Sequence, residues 1–267
     1  LDAAMTMLTR GADRLLELHA AELPQKDELC GCFWATLALR LNGEEPIEQD
    51  DVALVAGSVI TSHGSVHLLP LGQEGRNDYR LELPVTGDDA SSGTSAHGVA
   101  LAVSELTDGR LAACPVSGLD VAGVRAVLRA AAEATAPVVL IANVQTGAFW
   151  GSHASASQVA AYLERGALDA GPEPDWSVGH FVALIGLSEG RAGALVTVAD
   201  TYPVLGAGGV HLQPVEAVAA ALEGRGVLVV AEAEVARRVA DVAGGLAELW
   251  DNGSPLPGVR GQPAGAG

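Results

Sequence analysis

Basic residues, aromatics and cysteine are all scarce in this chain. Of 267 residues, 15 are Lys or Arg against 33 Asp or Glu, a formal charge of −18 at pH 7. Binding to nucleic acid needs clustered cations that displace counterions from phosphates, so no nucleic-acid partner is expected, and no anionic membrane surface either. No apolar run reaches the roughly 18 residues that span a bilayer; the longest, such as PVVLIANV at 137–144, read as strands. Cys30, Cys32 and Cys114 make an odd count in a chain too long to need staples, which argues against a disulfide framework. The opening stretch carries Asp2 and Asp13 where a secretory signal would be basic and then apolar. A start at Leu1 is compatible with removal of an upstream segment, and the default compartment is cytoplasmic.

What is present is aliphatic: 49% hydrophobic residues with only four Trp, three Tyr and three Phe. That composition excludes disorder. The spacing predicts a helix over 1–22, a helix apolar on all sides over 30–42, and another from Asp51 to Ile60. Short strands are expected at 67–72 and 79–85, a solvated loop at 87–98, and strands at 98–106 and 110–116. Next come a helix from Val121 to about Ala134, a buried strand at 137–144 and a helix from Gln158 to Gly166. The last third reads strand (179–187), strand (194–200), helix (Val215–Leu222), strand (226–232) and helix (Glu234–Leu249). The expected architecture is one α+β domain of two lobes over 1–251, followed by a disordered Gly/Pro-rich tail at 252–267.

Two segments carry chemistry. In QKDELCGCFW, Cys30 stands where an apolar helix begins, so open backbone N–H groups and the positive end of the helix dipole lie near its sulfur. A thiolate is the nucleophilic form of cysteine, and this is a place where a fold can stabilise one. Gly31 keeps the approach to that sulfur uncrowded. The alternative is an ordinary buried cysteine. The second segment is GHFVALIGL, turning through 188–193 into ALVTVAD. In a hairpin whose partners have numbers summing to about 380 or 381, His180 faces Asp200, and a carboxylate so placed orients an imidazole.

QKDELCG before an apolar helix, GHFVALIG and VADTYP together resemble the papain-like cysteine peptidases, among them bacterial domains similar to the peptidase that trims double-glycine leaders from bacteriocin precursors. His180 lies 150 residues after Cys30, matching the layout of papain-type enzymes. The resemblance implies a papain-like fold, its catalytic helix packed on an antiparallel sheet. It also implies Cys30 as nucleophile, His180 as general base and acid, Asp200 as orienter, and Gln25 as the oxyanion-hole glutamine. The implied activity is cleavage of a peptide amide through a thioester, with no cofactor and no metal. An acyl or peptidyl transferase on the same triad and a non-catalytic peptide-binding module are the alternatives, so the expected partner is a peptide or an acylated small molecule.

Cys32 competes for the nucleophile role but lies about 200° further round the helix, and Cys30 is nearer the helix start. Cys114 is read as structural. Cys30-Gly-Cys32 lacks the C-x₂₋₄-C spacing and paired second half of a zinc site. His63 and His67 are given a loop or surface role, while His97 and His153 fall in Gly/Ser-rich loops. Phe33 and Trp34 are expected to narrow the cleft. Phe149, Trp150 and Trp176 are read as core, with cleft lining as the alternative. Glu48–Asp51 reads as a solvated acidic patch, and GAGG at 206–209 lacks the lysine of a phosphate-binding loop.

Overall fold

Among the described residues, seven strands rich in Val, Leu and Ala pair antiparallel throughout to form one sheet, with helices on both faces. The computed structural model describes residues 5–44 and 46–256. The chain opens with β1 (Met5–Leu8), α1 (Ala12–Glu22), α2 (Cys30–Leu41), α3 (Gln49–Ala56), β2 (Ile60–Thr61), β3 (Val85–Thr86) and α4 (Ala96–Glu105). It continues through β4 (Leu111–Ser117), α5 (Val121–Ala132), β5 (Val139–Gln145), α6 (Ala156–Arg165) and β6 (Gly179–Glu189). It closes with β7 (Ala194–Ala199), β8 (Val210–Pro214), α7 (Val215–Ala221), β9 (Gly226–Glu232) and α8 (Ala233–Val242). The sheet runs β4-β9-β5-β6-β7-β8, and β1 pairs with the distal half of β6. The fold is mixed α+β. No helix among the described residues is long and apolar enough to cross a membrane.

Alternation along β6 divides the core. Phe181, Ala183 and Ile185 pack with α2, α3 and α4, while Val182, Leu184 and Leu187 pack with α5, α7 and α8. Helix α2 is buried from Gly31 to Leu39, as its all-round apolar sequence requires. Phe33, Trp34 and Leu37 there each contribute about 1.5–3 kcal/mol by leaving water. Phe33 and Trp34 therefore build the core and do not narrow a cleft. Gly31 has a packing duty as well: a Cβ there would meet Val99 Cγ2 at 2.8 Å and Phe181 Cδ2 at 3.3 Å. The glycine lets α2 nestle between α4 and β6.

Several expectations are corrected. Of the stretch 98–106, read as a strand beyond the loop, residues 98–105 belong to α4, which Ser95 caps by accepting from the Gly98 N–H at 3.0 Å. Its glycine answers to helix packing, since a Cβ on Gly98 would stand 2.3 Å from the Ala56 carbonyl oxygen. Of the helix expected over 1–22, residues 5–8 pair with β6 and 12–22 are helical, while 1–4 lie outside the described residues. The strands expected at 67–72 and 79–85 reduce to a 3₁₀ turn at Val66–Leu68 and the two-residue β3. Helix α8 ends at Val242, and β8 had no expected counterpart.

Glu48–Asp51 is not a solvated patch. Glu48 and Asp51 form a capping box that opens α3, and Asp50 is fully buried. At the other end, Asn252 falls in the tail expected to be disordered, yet its amide donates to the Thr94 carbonyl at 3.1 Å and accepts from the Ala96 N–H at 3.3 Å. Residues 257–267 of that tail lie outside the described residues.

Candidate active site

Cys30 is the first residue of α2. Leu29 before it offers no capping side chain, so the N–H groups of the first turn stay open towards whatever lies in front of the sulfur. The thiol opens onto a cleft of about 500 Å³ that Gln25, His180 and Trp176 also line. Cys32 points elsewhere: its sulfur lies 3.2 Å from Ser58 Oγ and 3.3 Å from Thr94 Oγ1, and burial pushes its thiol up to about 11. Two residues of helix thus separate a cleft thiol from a core thiol. Cys114 is buried on β4, and burial raises its pKa too.

His180 and Asp200 meet across the β6–β7 hairpin, though not in the register expected. Ala183 faces Ala199, which sets Asp200 against Val182, two residues along from His180. The face is nevertheless shared, because Ile185 is an extra residue: Leu184 pairs with Val198 and Gly186 with Thr197. Had the outer register run on unbroken, Asp200 would oppose Ala183 and project to the other side of the sheet. The His180 Nε2–H donates to Asp200 Oδ1 at 3.1 Å and lies 3.3 Å from Thr201 Oγ1.

Burial alone would lower the His180 pKa. The Asp200 charge and hydrogen bond, with a smaller contribution from the nearby Cys30, outweigh it and raise the imidazole to about 10. Asp200 responds in the opposite sense: burial would raise it, but His180, and less strongly His211, hold it well below the usual carboxylate range. An imidazole so tied to a fixed carboxylate stays charged at neutral pH. Trp176 stands edge-on to the ring at 5.1 Å between centroids, and Tyr202 stacks on it at 5.8 Å and 11°. This apolar cover keeps water from the pair and strengthens its attraction.

Gln25 sits beside the hairpin because its N–H donates to the Thr201 carbonyl at 3.1 Å, while Thr201 Oγ1 donates to Gln25 Oε1 at 2.5 Å. The second bond fixes the amide's orientation. The Gln25 NH₂ finds no acceptor among the described residues and remains available to a ligand. Behind it, the chain's single lysine, Lys26, is buried, with Nζ donating to Asp50 Oδ1 at 3.0 Å and to the Asp78 carbonyl at 2.9 Å. Asp27 accepts from the Arg76 N–H at 2.9 Å, so a crosslinked loop holds the approach to α2.

Sequence reasoning brought Cys30, His180, Asp200 and Gln25 to this region, and the structure gathers all four. It missed the frame around Asp200. The His19 Nε2–H donates to the Asp200 carbonyl at 2.6 Å. His211 Nε2 lies 3.8 Å from Asp200 Oδ2, its Nδ1 accepting from Gln213 Nε2 at 3.0 Å. The GAGG turn has its role here: the Asp200 N–H donates to the Gly209 carbonyl, and at Gly209, with φ +85°, a Cβ would stand 3.0 Å from His19 Cε1. Trp176, read as core, is a cleft residue, whereas Phe149 and Trp150 are buried. His63 and His67 both approach Asp89, at 3.1 and 2.7 Å, and exposed His153 approaches the Val204 carbonyl at 3.1 Å. His97 lies in the first turn of α4. No group of three His, Cys, Asp or Glu suited to a metal ion occurs among the described residues.

No curated protein matches the chain. A family model described as a family of unknown function, DUF6885, matches residues 9–251, and the chain belongs to that family.

Proposed function

We propose that this chain is a papain-like cysteine hydrolase that cleaves a peptide amide through a thioester intermediate. One observation carries the reading: a thiol at an open helix start, an imidazole bonded to a buried carboxylate, and an unengaged glutamine amide line a single cleft. The Cys30 thiolate attacks the carbonyl carbon, forming the S–C bond, and the oxygen that becomes negative is met by the Cys30 N–H and the Gln25 NH₂. The C–N bond then breaks as the His180 imidazolium passes its proton to the leaving amine. Water next adds to the thioester, giving its proton to His180. The acid leaves and the thiolate returns.

The test is turnover of a peptide mixture followed by mass spectrometry, with and without an added amine, using wild type and Cys30→Ala. Hydrolysed products that vanish in Cys30→Ala support the proposal. Products unchanged by Cys30→Ala would overturn it, and amide products in place of acids would assign the second step to an amine acceptor and overturn hydrolysis. Alkylation by iodoacetamide that reaches Cys114 and spares Cys30 would remove the nucleophile.

A further inference from the structure

The −18 chain places a cation in the cleft without giving it a counter-charge. Arg225, in the turn between α7 and β9, lines the same cavity as Cys30 and His180. Its Nη1 donates to Asn143 Oδ1 at 2.7 Å and its Nη2 to Gln145 Oε1 at 3.4 Å, both neutral amides. Among the described residues, Arg225 is the one arginine that is partly withdrawn from solvent and has no carboxylate within 4.0 Å. The cleft's own carboxylates are engaged, Glu28 with Thr61 and Asp89 with His63 and His67. Acids outnumber bases about two to one here, so a half-buried guanidinium that none of them pairs is a costly arrangement unless something else does.

The guanidinium is also held in place. Asn143 is 2 % exposed, and its amide cannot flip without loss: Nδ2 donates to the His180 carbonyl at 3.3 Å, and Oδ1 accepts from both Arg225 and Trp250 Nε1, the latter at 3.1 Å. Gly179, next to the histidine, has no side chain where the fork lies; a Cβ there would stand 3.2 Å from Arg225 Nη2. The arrangement thus ties a planar, five-donor cation to the backbone of His180 and leaves its remaining N–H groups for the cleft.

We propose that Arg225 is the specificity residue of this cleft and that it selects substrates bearing a carboxylate, bound by the guanidinium fork. The inference rests on the cleft being the substrate site proposed above. A carboxylate of either source, a peptide C-terminus or an acidic side chain, satisfies the fork. A neutral ligand would instead leave a desolvated charge unpaired.

The test uses chloroacetyl peptides, in which the Cys30 thiolate forms an S–C bond and expels chloride. Chloroacetyl-(Gly)n-OH is compared with chloroacetyl-(Gly)n-NH₂ for n of about one to four, a ladder that spans the cleft. Chloroacetyl-Glu-NH₂ and chloroacetyl-Asp-NH₂ are compared with their Gln and Asn counterparts. The carboxylate member should label Cys30 about tenfold faster in at least one pair. That ratio should fall to about one in Arg225→Gln, survive in part in Arg225→Lys, and shrink with added NaCl. The main-chain and side-chain series tell the two sources apart. Because each ratio is taken within one variant, a general loss of reactivity cancels. Equal rates in every pair, or a preference that persists in Arg225→Gln, would overturn the assignment while rapid iodoacetamide labelling of Cys30 left the thiolate reading standing. Labelling of Cys30 no faster than free cysteine by every reagent would overturn both.

Discussion

The two walls of the cleft are built differently. One joins the rim of the sheet to the start of α2, and in it Gln25, His180, Asp200 and Thr201 are buried and each is held by more than one bond. The other is the segment from β2 to the start of α4, which has two strands of two residues, short 3₁₀ turns, and side chains such as Val66 and Leu71 at 70 % and 96 % exposure. Geometry for bond-making belongs to the first wall, where packing and hydrogen bonds hold atoms in place. The second has too few buried contacts to do that and is suited to admitting and releasing ligand. Under the proposed function, substitutions should divide along this line.

Cys30→Ala is expected to have the largest effect, a loss of about 10⁴-fold or more in kcat/KM with the thermal midpoint nearly unchanged. Residual turnover near wild type would erase the distinction between the walls. Asp200→Asn comes next, lowering turnover about 10²–10⁴-fold and stability by about 3–5 kcal/mol, the range for breaking a buried pair. The pH dependence of that stability loss is specific. His180 is raised from 6.5 to about 10 in the fold, so its share is full below 6.5 and fades as pH climbs towards 10. Asp200 is depressed from 3.8, so its share is lost on acidification below that value. Denaturant titrations should show the gap between wild type and Asp200→Asn widest from about pH 4 to 6.5; a gap constant to pH 10 would contradict the charged pair.

Gln25→Ala should lower kcat about 10²–10³-fold while moving KM little, as expected for a donor used in the transition state. A change in KM alone would mean that the amide binds substrate in its ground state. The smallest effect is expected on the loose wall. Asp89→Asn removes the anchor of His63 and His67, and should speed protease nicking between residues 60 and 93 while changing kcat by no more than about threefold, because exposed pairs add little. A collapse of turnover would transfer that segment to the rigid wall.

The parts of the site that could be read from sequence were those with a local signature. Cys30 announces itself by standing where polar QKDE gives way to an apolar helix, and a hairpin turning near 190–191 brings His180 and Asp200 to the same end of two neighbouring strands. The hairpin register did not follow, because a bulge leaves no mark among uniformly aliphatic residues. His19 and His211 were invisible for a different reason: each is a single residue on a separate element, α1 and β8, and only the packed fold brings them to Asp200. The strand expected at 98–106 shows the competing signal, since GVALAVSEL alternates like a strand while the deciding cue, Ser95 at the cap, lies just before it. Arg225 carries no sequence pattern, and only its neighbours reveal that it has no counter-charge.

Ile185, which faces no residue of β7, works as a parity bit for the hairpin. Insertions of any length at the 190–193 tip leave the sidedness of residues 180 and 200 unaltered as long as pairing beside the bulge is kept. Deleting one residue between positions 184 and 187 inverts it, sending the acid to the opposite layer with hardly any change in composition. Among relatives, length variation should therefore collect at that tip and be purged from the stretch just before it.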